Sequence, residues 1–145
     1  MPYHIITSPC LRIINDKNSG LTSLMDIVDT AYIEEGEENP TLPEFQLFSK
    51  WGKEASIDEK EKFEVKLSFF NSSHSNDRPK ILDKFTIEIP RDTYGATVIH
   101  DLKGIEVVNP GWCFLEVSFR KSVNKGKWML ACKIPFMVKK RKKNE

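Results

Sequence analysis

Residues 62–69 read Lys-Phe-Glu-Val-Lys-Leu-Ser-Phe, with polar and apolar side chains in strict alternation. In an extended strand, successive side chains point to opposite faces, so Phe63, Val65, Leu67 and Phe69 share one face. An α-helix would scatter these four side chains around its circumference. The segment therefore predicts a β-strand with one face against a core and the other toward water.

Other segments repeat this pattern. Residues 84–89 alternate in the same way and end at Pro90, which cannot donate a hydrogen bond to a strand ladder. Strand-like runs also occupy residues 10–14, 45–51, 97–102 and 104–108, separated by turn residues. Many short strands with frequent turn signals are typical of a sandwich or a barrel. We predict an all-β fold, an antiparallel β-sandwich of about eight strands with at most one short helix.

A hairpin is predicted between residues 112–120 and 127–138, whose connection contains turn-forming Asn and Gly. If Trp128, Leu130, Cys132, Ile134 and Phe136 form the core row of the second strand, Phe119 lies near Trp128. Cys113 then lies opposite about Ile134, as a diagonal neighbour of Cys132. These two cysteines are expected to be close but unpaired.

Residues 21–33 leave two alternatives open. Leu21, Leu24, Met25, Val28 and Tyr32 fit the spacing of an amphipathic helix. Several β-branched residues and the preceding Ser-Gly turn favour a strand instead. We prefer the strand.

Charge is uneven along the chain, although the net charge is only +1. Residues 139–145 hold five Lys and Arg and one Glu, so this segment carries +4 and the rest of the chain carries −3. We therefore predict one β-sandwich domain over residues 1–138 and a basic C-terminal tail over residues 139–145. The rest of the chain is not basic enough to bind polyanions in general.

Three cysteines are an odd number and show no C-x-x-C spacing, so a disulfide framework or a zinc site is not expected. Residues 1–6 lack the features of a secretion signal, and no apolar run is long enough to span a membrane as a helix. We expect a cytoplasmic protein that needs no cofactor.

No set of catalytic or metal-ligating residues stands out, and we expect no enzyme activity. His100 and Asp101 are adjacent on a strand, so their side chains point to opposite faces and do not form an acid–base pair. Cys10 has no Gly-rich oxyanion turn beside it. The acidic residues near Asp26 and in the loop 34–40 lack the order of an EF-hand.

The order of motifs resembles a small family of uncharacterised bacterial domains. The resemblance rests on Leu11-Arg12-Ile13-Ile14-Asn15, Gly20, Ser23-Leu24-Met25-Asp26-Ile27-Val28-Asp29, Pro40-Thr41-Leu42-Pro43-Glu44-Phe45, Gly111-Trp112-Cys113-Phe114-Leu115-Glu116-Val117 and Lys133-Ile134-Pro135-Phe136. It implies a β-sandwich and a strand over residues 21–33, and it brings no activity or ligand. The basic tail and the connection 52–61 depart from the family pattern.

The sequence thus favours an interaction module that binds a protein, itself or another, through a sheet face or edge. Trp51, Trp112 and His74 are the candidate partner-binding residues, because they lie at strand ends or in a polar loop. For the two tryptophans, burial in the core is an equally favoured alternative. The alternative is a protein associated with nucleic acid or another anionic surface through its tail. The tail residues that would neutralise phosphates are Lys139, Lys140, Arg141, Lys142 and Lys143.

Overall fold

The computed structural model describes residues 2–71, 79–107, 109–123 and 126–142. Within these ranges it contains nine β-strands and no helix. The strands are β1 (Pro2–Asn15), β2 (Thr22–Ile27), β3 (Thr30–Glu34), β4 (Phe45–Lys53), β5 (Glu61–Asn71), β6 (Lys80–Ile89), β7 (Gly95–Leu102), β8 (Gly111–Lys121) and β9 (Met129–Arg141).

The strands form two sheets. The four-stranded sheet has the order β2-β1-β4-β7, and the five-stranded sheet has the order β3-β9-β8-β5-β6. Every neighbouring pair is antiparallel except β3 and β9, which are parallel. The predicted all-β class and two-sheet architecture are confirmed.

The core lies between the inner faces of the sheets. Phe63, Val65, Leu67 and Phe69 are all at most 4% exposed, as the alternation of residues 62–69 predicts. Trp51 of the other sheet is fully buried against Phe63, with ring centroids 5.1 Å apart. The opposing apolar rows therefore hold the two sheets together.

Residues 21–33 form strands, so the strand interpretation is confirmed and the helix alternative is wrong. The segment is divided between the sheets: β2 borders β1 in one sheet and β3 borders β9 in the other. The chain crosses at Val28 and Asp29, whose backbone groups bond to Pro9 and Met137 of opposite sheets. This crossing places the edges β2 and β3 on the same side of the sandwich.

The β8–β9 hairpin forms, but its predicted register is wrong at the turn. Pairing is irregular between Val117 and Ser118, where Val117 faces Cys132 and Ser118 faces Leu130. Ala131 is thereby an extra residue that reverses the side-chain alternation of β9. Trp128 and Leu130, predicted for the core row, consequently lie on the outer face.

The cysteine geometry differs from the prediction for the same reason. Cys113 faces Phe136, and Cys132 faces Val117, so the two cysteines are four residues apart along the hairpin rather than diagonal neighbours. Both are free thiols.

The end of the sandwich also differs from the sequence-based boundary at residue 138. β9 continues to Arg141, and Lys139, Lys140 and Arg141 face Tyr32, Ile33 and Glu34 of β3. Parallel pairing with β3 extends the strand into the basic run, so these three residues belong to the sheet and not to a tail. Lys142 follows as an exposed residue, and Lys143 lies outside the described residues.

Lys53, at the end of β4, forms hydrogen bonds to the β4–β5 connection and to the residue that follows β6. Its side chain is 3% exposed. The ammonium donates to the backbone oxygens of Glu59 at 2.5 Å and Pro90 at 2.9 Å, and approaches that of Ile57 at 3.5 Å. The connection 54–60, which could have held one helical turn, is fixed by these bonds as non-helical turns.

Candidate functional site

The outer face of the four-stranded sheet is unusually apolar. Ser8, Phe48 and Ile99 are paired across β1, β4 and β7, and the next row pairs Ile6 with Lys50 and Thr97. An antiparallel sheet that faces water normally carries polar side chains there. We call the surface formed by Tyr3, Ile6, Cys10, Phe48 and Ile99 the isoleucine face.

The exposure of this face shows that no described segment covers it. Tyr3 and Ile6 are each 44% exposed and Ile99 is 41% exposed, whereas Phe48 and Cys10 beneath them are buried. These exposed side chains therefore cover Phe48 and Cys10, and no described sheet packs on top of them. Contiguous apolar surface of this kind marks interaction sites in many proteins.

The Tyr3 ring packs directly on Gly52 of the neighbouring strand β4. A Cβ atom added to Gly52 would lie 2.3 Å from the Tyr3 ring, so only glycine leaves room for the ring there. Lys50 and Asp101 supply one charge of each sign to the same face, and Gln46 donates a 2.9 Å hydrogen bond to Asp101.

The sequence pattern did not indicate the isoleucine face. A bulge between His4 and Ile6 breaks the alternation of β1, which hides its outward apolar row. Phe48 and Ile99, apolar residues at polar positions of well-defined strands, are the signal that could have identified it.

The outer face of the five-stranded sheet has a different character, with cations stacked on aromatic rings. Lys66 and Arg120 lie 4.5 Å and 4.3 Å from the centre of the Trp128 ring. Lys133 lies over both Phe70 and Phe114, at 4.8 Å and 4.4 Å. We call the surface formed by Lys66, Phe70, Phe114, Arg120, Trp128 and Lys133 the basic aromatic face.

Burial and neighbouring cations both act on the charges of the basic aromatic face. Burial lowers the pKa of Lys66, and the nearby Lys84 and Arg120 lower it further, while Glu116 acts in the opposite direction. Arg120 also donates to Glu64 at 2.6 Å. Three cations thus lie close together on the sheet with partial neutralisation by carboxylates.

The predicted partner-binding residues fall in different environments. Trp51 is fully buried: its indole N–H donates to Ser49, and its ring contacts His4, Phe63 and Phe119. It offers no surface to a partner, because its position on the inner face of β4 directs it into the core. Trp112 is 51% exposed at the start of β8, opposite Met137. His74 lies outside the described residues.

A pocket opens between the two sheets on the side of the sandwich where β2 and β3 are the edge strands. Its volume is about 340 Å³. Buried core residues such as Leu42, Phe45, Leu115 and Phe136 line its interior. Asp26, Tyr32 and Arg141 line it as well. We call it the inter-sheet pocket.

His100 and Asp101 point to opposite sides of β7, as predicted from the geometry of a strand. Asp101 accepts from Gln46 on the outer face, whereas His100 lies 2.8 Å from Asp83 of β6 and stacks on Phe85. The His100–Asp83 pair therefore connects the two sheets at their second open edge. No serine, threonine or cysteine is among the described residues that line the cleft around it.

The thiols are buried or partly buried. Burial raises the pKa of Cys10, Cys113 and Cys132, that of Cys113 to about 11, so they remain protonated at neutral pH. Among the described residues, no group of three His, Cys, Asp or Glu side chains is placed to hold a metal ion. No helix in the described part of the chain is long and apolar enough to cross a membrane.

No family model and no curated protein matches the chain, which is consistent with an uncharacterised family. Among solved structures, the β-glucosidase from Listeria innocua in complex with glucose has a TM-score of 0.45 and 13% identity, with 77% of this chain and 15% of that chain covered. A mutant of that β-glucosidase in complex with laminaribiose has a TM-score of 0.44 and 13% identity, with 94% and 16% covered. The chain thus spans about a sixth of the length of these structures, and a likeness this distant carries no argument about its activity.

Proposed function

We propose that this protein is a non-enzymatic interaction module and that its partner, a second copy of the same chain, docks on the isoleucine face. The observation that carries the proposal is the outward exposure of Tyr3, Ile6 and Ile99 over a buried Phe48. Burying apolar surface of this kind is the main favourable contribution to protein association.

The arrangement of charges on the face favours self-association. In a two-fold symmetric dimer the same patch meets itself. If the two-fold axis runs across the strands through the row of Phe48 and Ile99, that row packs on its own copy. Lys50 of one copy then lies over the row of Gln46 and Asp101 of the other. Lys50 and Asp101, which carry opposite charges, are thus brought toward each other.

The area of the isoleucine face determines how tightly the proposed dimer is expected to associate. With three strands about 4.8 Å apart and a rise of about 3.3 Å per residue over about eight residues, the face presents roughly 400 Å² of projected area per copy. Standard interfaces bury about 800 Å² per partner. We therefore expect a weak dimer that forms in a concentration-dependent manner.

The test is sedimentation equilibrium over a wide concentration range, comparing the unmodified chain with Ile99→Glu. The substitution places a carboxylate at the centre of the interface, so the variant is expected to remain monomeric while keeping its circular-dichroism spectrum. Leu21→Glu is the matched control, since Leu21 is an exposed leucine in the β1–β2 turn away from the face. A chain that stays monomeric at every concentration, or an Ile99→Glu variant that dimerises normally, would contradict the proposal.

A second candidate function is binding of a single-stranded nucleic acid along the basic aromatic face. Cations and aromatic rings that interleave on an open sheet can contact phosphates and stack on bases. The observation that favours it is the placement of Lys133 over Phe70 and Phe114, on the same strand that leads into Lys139 and Lys142.

This second candidate predicts salt-dependent binding of a single-stranded RNA probe. Removal of residues 142–145 leaves all of β9 in place, unlike a deletion from Lys139, and is expected to reduce the dependence of affinity on salt. Lys133→Ser should weaken binding further, and Lys60→Ser, at an exposed lysine of the β4–β5 connection, should leave it unchanged. Absence of binding by the full chain at low salt would exclude this function.

A cytoplasmic location is part of the same proposal. Three free thiols in one small protein are what a reducing compartment maintains. Lysis of cells directly into denaturant with an alkylating agent, followed by mass spectrometry, should find the three cysteines reduced; a disulfide-linked form would contradict the assignment.

A further inference from the structure

The inter-sheet pocket is a partly open cleft at the edge of the sandwich, and buried core residues form its floor. Leu115, Phe136 and Phe45 are at most 4% exposed, yet they line a space of about 340 Å³. Small-molecule sites typically have volumes of about 300–1,000 Å³ and mostly apolar walls, so the pocket has the size and lining of a binding site.

Two opposite charges line the same pocket, one from each sheet. Asp26 belongs to β2 of the four-stranded sheet, and Arg141 belongs to β9 of the five-stranded sheet. In the described part of the chain neither forms an ion pair with any residue; Arg141 instead lies 5.9 Å from the centre of the Tyr32 ring. A carboxylate and a guanidinium thus border one apolar space without neutralising each other.

The backbone at Asp26 is held in an uncommon conformation. Its φ of 55° lies in the left-handed region, which Asp tolerates better than most residues. The pairs Cys10–Ile27 and Arg12–Met25 enclose this position in β2, and Leu11 and Asp26 between them both border the pocket. Such backbone outliers often accompany ligand sites.

We infer that the inter-sheet pocket binds a small zwitterion with an apolar side chain, of the hydrophobic α-amino acid class, either free or in a dipeptide. Its carboxylate would pair with Arg141, its ammonium with Asp26, and its side chain would enter the space between the sheets. A fatty acid could pair its carboxylate with Arg141, but it has no cation for Asp26. A hydrophobic amine could pair with Asp26, but it has no anion for Arg141. This inference is independent of the proposed dimer, because the pocket and the isoleucine face lie on different sides of the four-stranded sheet.

The probes are L-phenylalanine and two analogues that each lack one charge, 3-phenylpropionate and 2-phenylethylamine. Titration followed by two-dimensional NMR should show L-phenylalanine binding, with shifts concentrated at the residues that line the pocket, which belong to β1, β2, β3, β8, the 42–45 segment and the second half of β9. Loss of one charge-assisted hydrogen bond corresponds to about a tenfold or larger loss of affinity, which is expected for each analogue. A Phe-Phe dipeptide in a parallel titration distinguishes the two sources: tighter binding than L-phenylalanine assigns the site to a peptide, and weaker binding assigns it to the free amino acid.

Asp26→Asn and Arg141→Gln test the two charges on the protein. Asn also tolerates the left-handed conformation, so the first variant removes charge with little change in the backbone. Each is expected to weaken L-phenylalanine about tenfold or more. Asp29→Asn and Lys140→Gln, neighbours that do not line the pocket, serve as matched controls with unchanged affinity. Equal binding of an analogue that lacks a charge, or no binding of any probe to the unmodified chain, would overturn the inference.

Discussion

Replacement of Lys53 by methionine is expected to destabilise the fold more than removal of any exposed lysine. Methionine keeps the apolar stem of the side chain but removes the ammonium that donates to the backbone oxygens of Glu59 and Pro90. These bonds join the β4–β5 connection to the end of β6, so their loss frees two loops at once.

The expected loss of stability follows from the number of hydrogen bonds removed and from the interactions that replace them. Hydrogen bonds to a charged group contribute about 1.5–3 kcal/mol each, so two such bonds correspond to about 3–6 kcal/mol. The variant no longer buries an ammonium, and carbonyls near the surface regain water, both of which offset part of this loss. We expect a net decrease in the free energy of unfolding of about 2–3 kcal/mol.

Urea denaturation monitored by tryptophan fluorescence measures this decrease. With a slope of about 1–3 kcal/mol per molar urea, the midpoint should fall by about 1–2 M. Lys17→Met, at an exposed lysine of the β1–β2 turn, is the control and should change stability by less than about 0.5 kcal/mol. If Lys53→Met shifts the midpoint no more than Lys17→Met does, the bonds from Lys53 to Glu59 and Pro90 do not hold the loops together.

Three further perturbations test other contacts. Burial lowers the pKa of His4, so the unfolded chain binds its proton more readily. Stability should therefore fall as the pH drops below about 6.5, by at most about 1.4 kcal/mol per pH unit from this group, and His4→Gln should reduce that slope in pH-dependent unfolding. Gly52→Ala should destabilise the fold by about 1 kcal/mol because the new methyl group displaces the Tyr3 ring, and the effect should shrink when Tyr3 is also replaced by alanine. Asp83→Asn, which weakens a partly exposed pair with His100, should cost about 0.2–1 kcal/mol in thermal unfolding; a larger loss would mean that this pair contributes more to joining the sheets than its exposure suggests.

Alternation predicted the fold because it reports directly which side chains face the core. Residues 62–69 gave the correct face for every side chain, and so did residues 84–89. The failures occur where one inserted residue reverses the alternation. At Ala131 a bulge moves Trp128 and Leu130 outward, and nothing local in the sequence marks the bulge.

The candidate surfaces were less predictable because they depend on which strands become neighbours. The isoleucine face requires Ile6, Phe48 and Ile99, which are more than 40 residues apart in sequence, to be aligned by the pairing of β1, β4 and β7. The inter-sheet pocket requires residue 26 and residue 141 to reach one edge from two sheets. For Trp51, the position near a strand end left a surface role and a core role open, and the packing of the sheets places it in the core.

The two-layer fold keeps the three surfaces physically separate, and this has a consequence for experiments. The isoleucine face and the basic aromatic face lie on opposite outer sides of a sandwich whose sheets pack about 10 Å apart, with the inter-sheet pocket between them at one edge. Substitutions more than about 7–10 Å apart that share no partners usually have additive effects. Ile99→Glu, Lys133→Ser and Asp26→Asn should therefore each abolish or weaken one kind of binding and leave the others intact. Loss of more than one activity in a folded single variant would mean that the surfaces are coupled, for example because a ligand between the sheets alters the face on which the second copy docks.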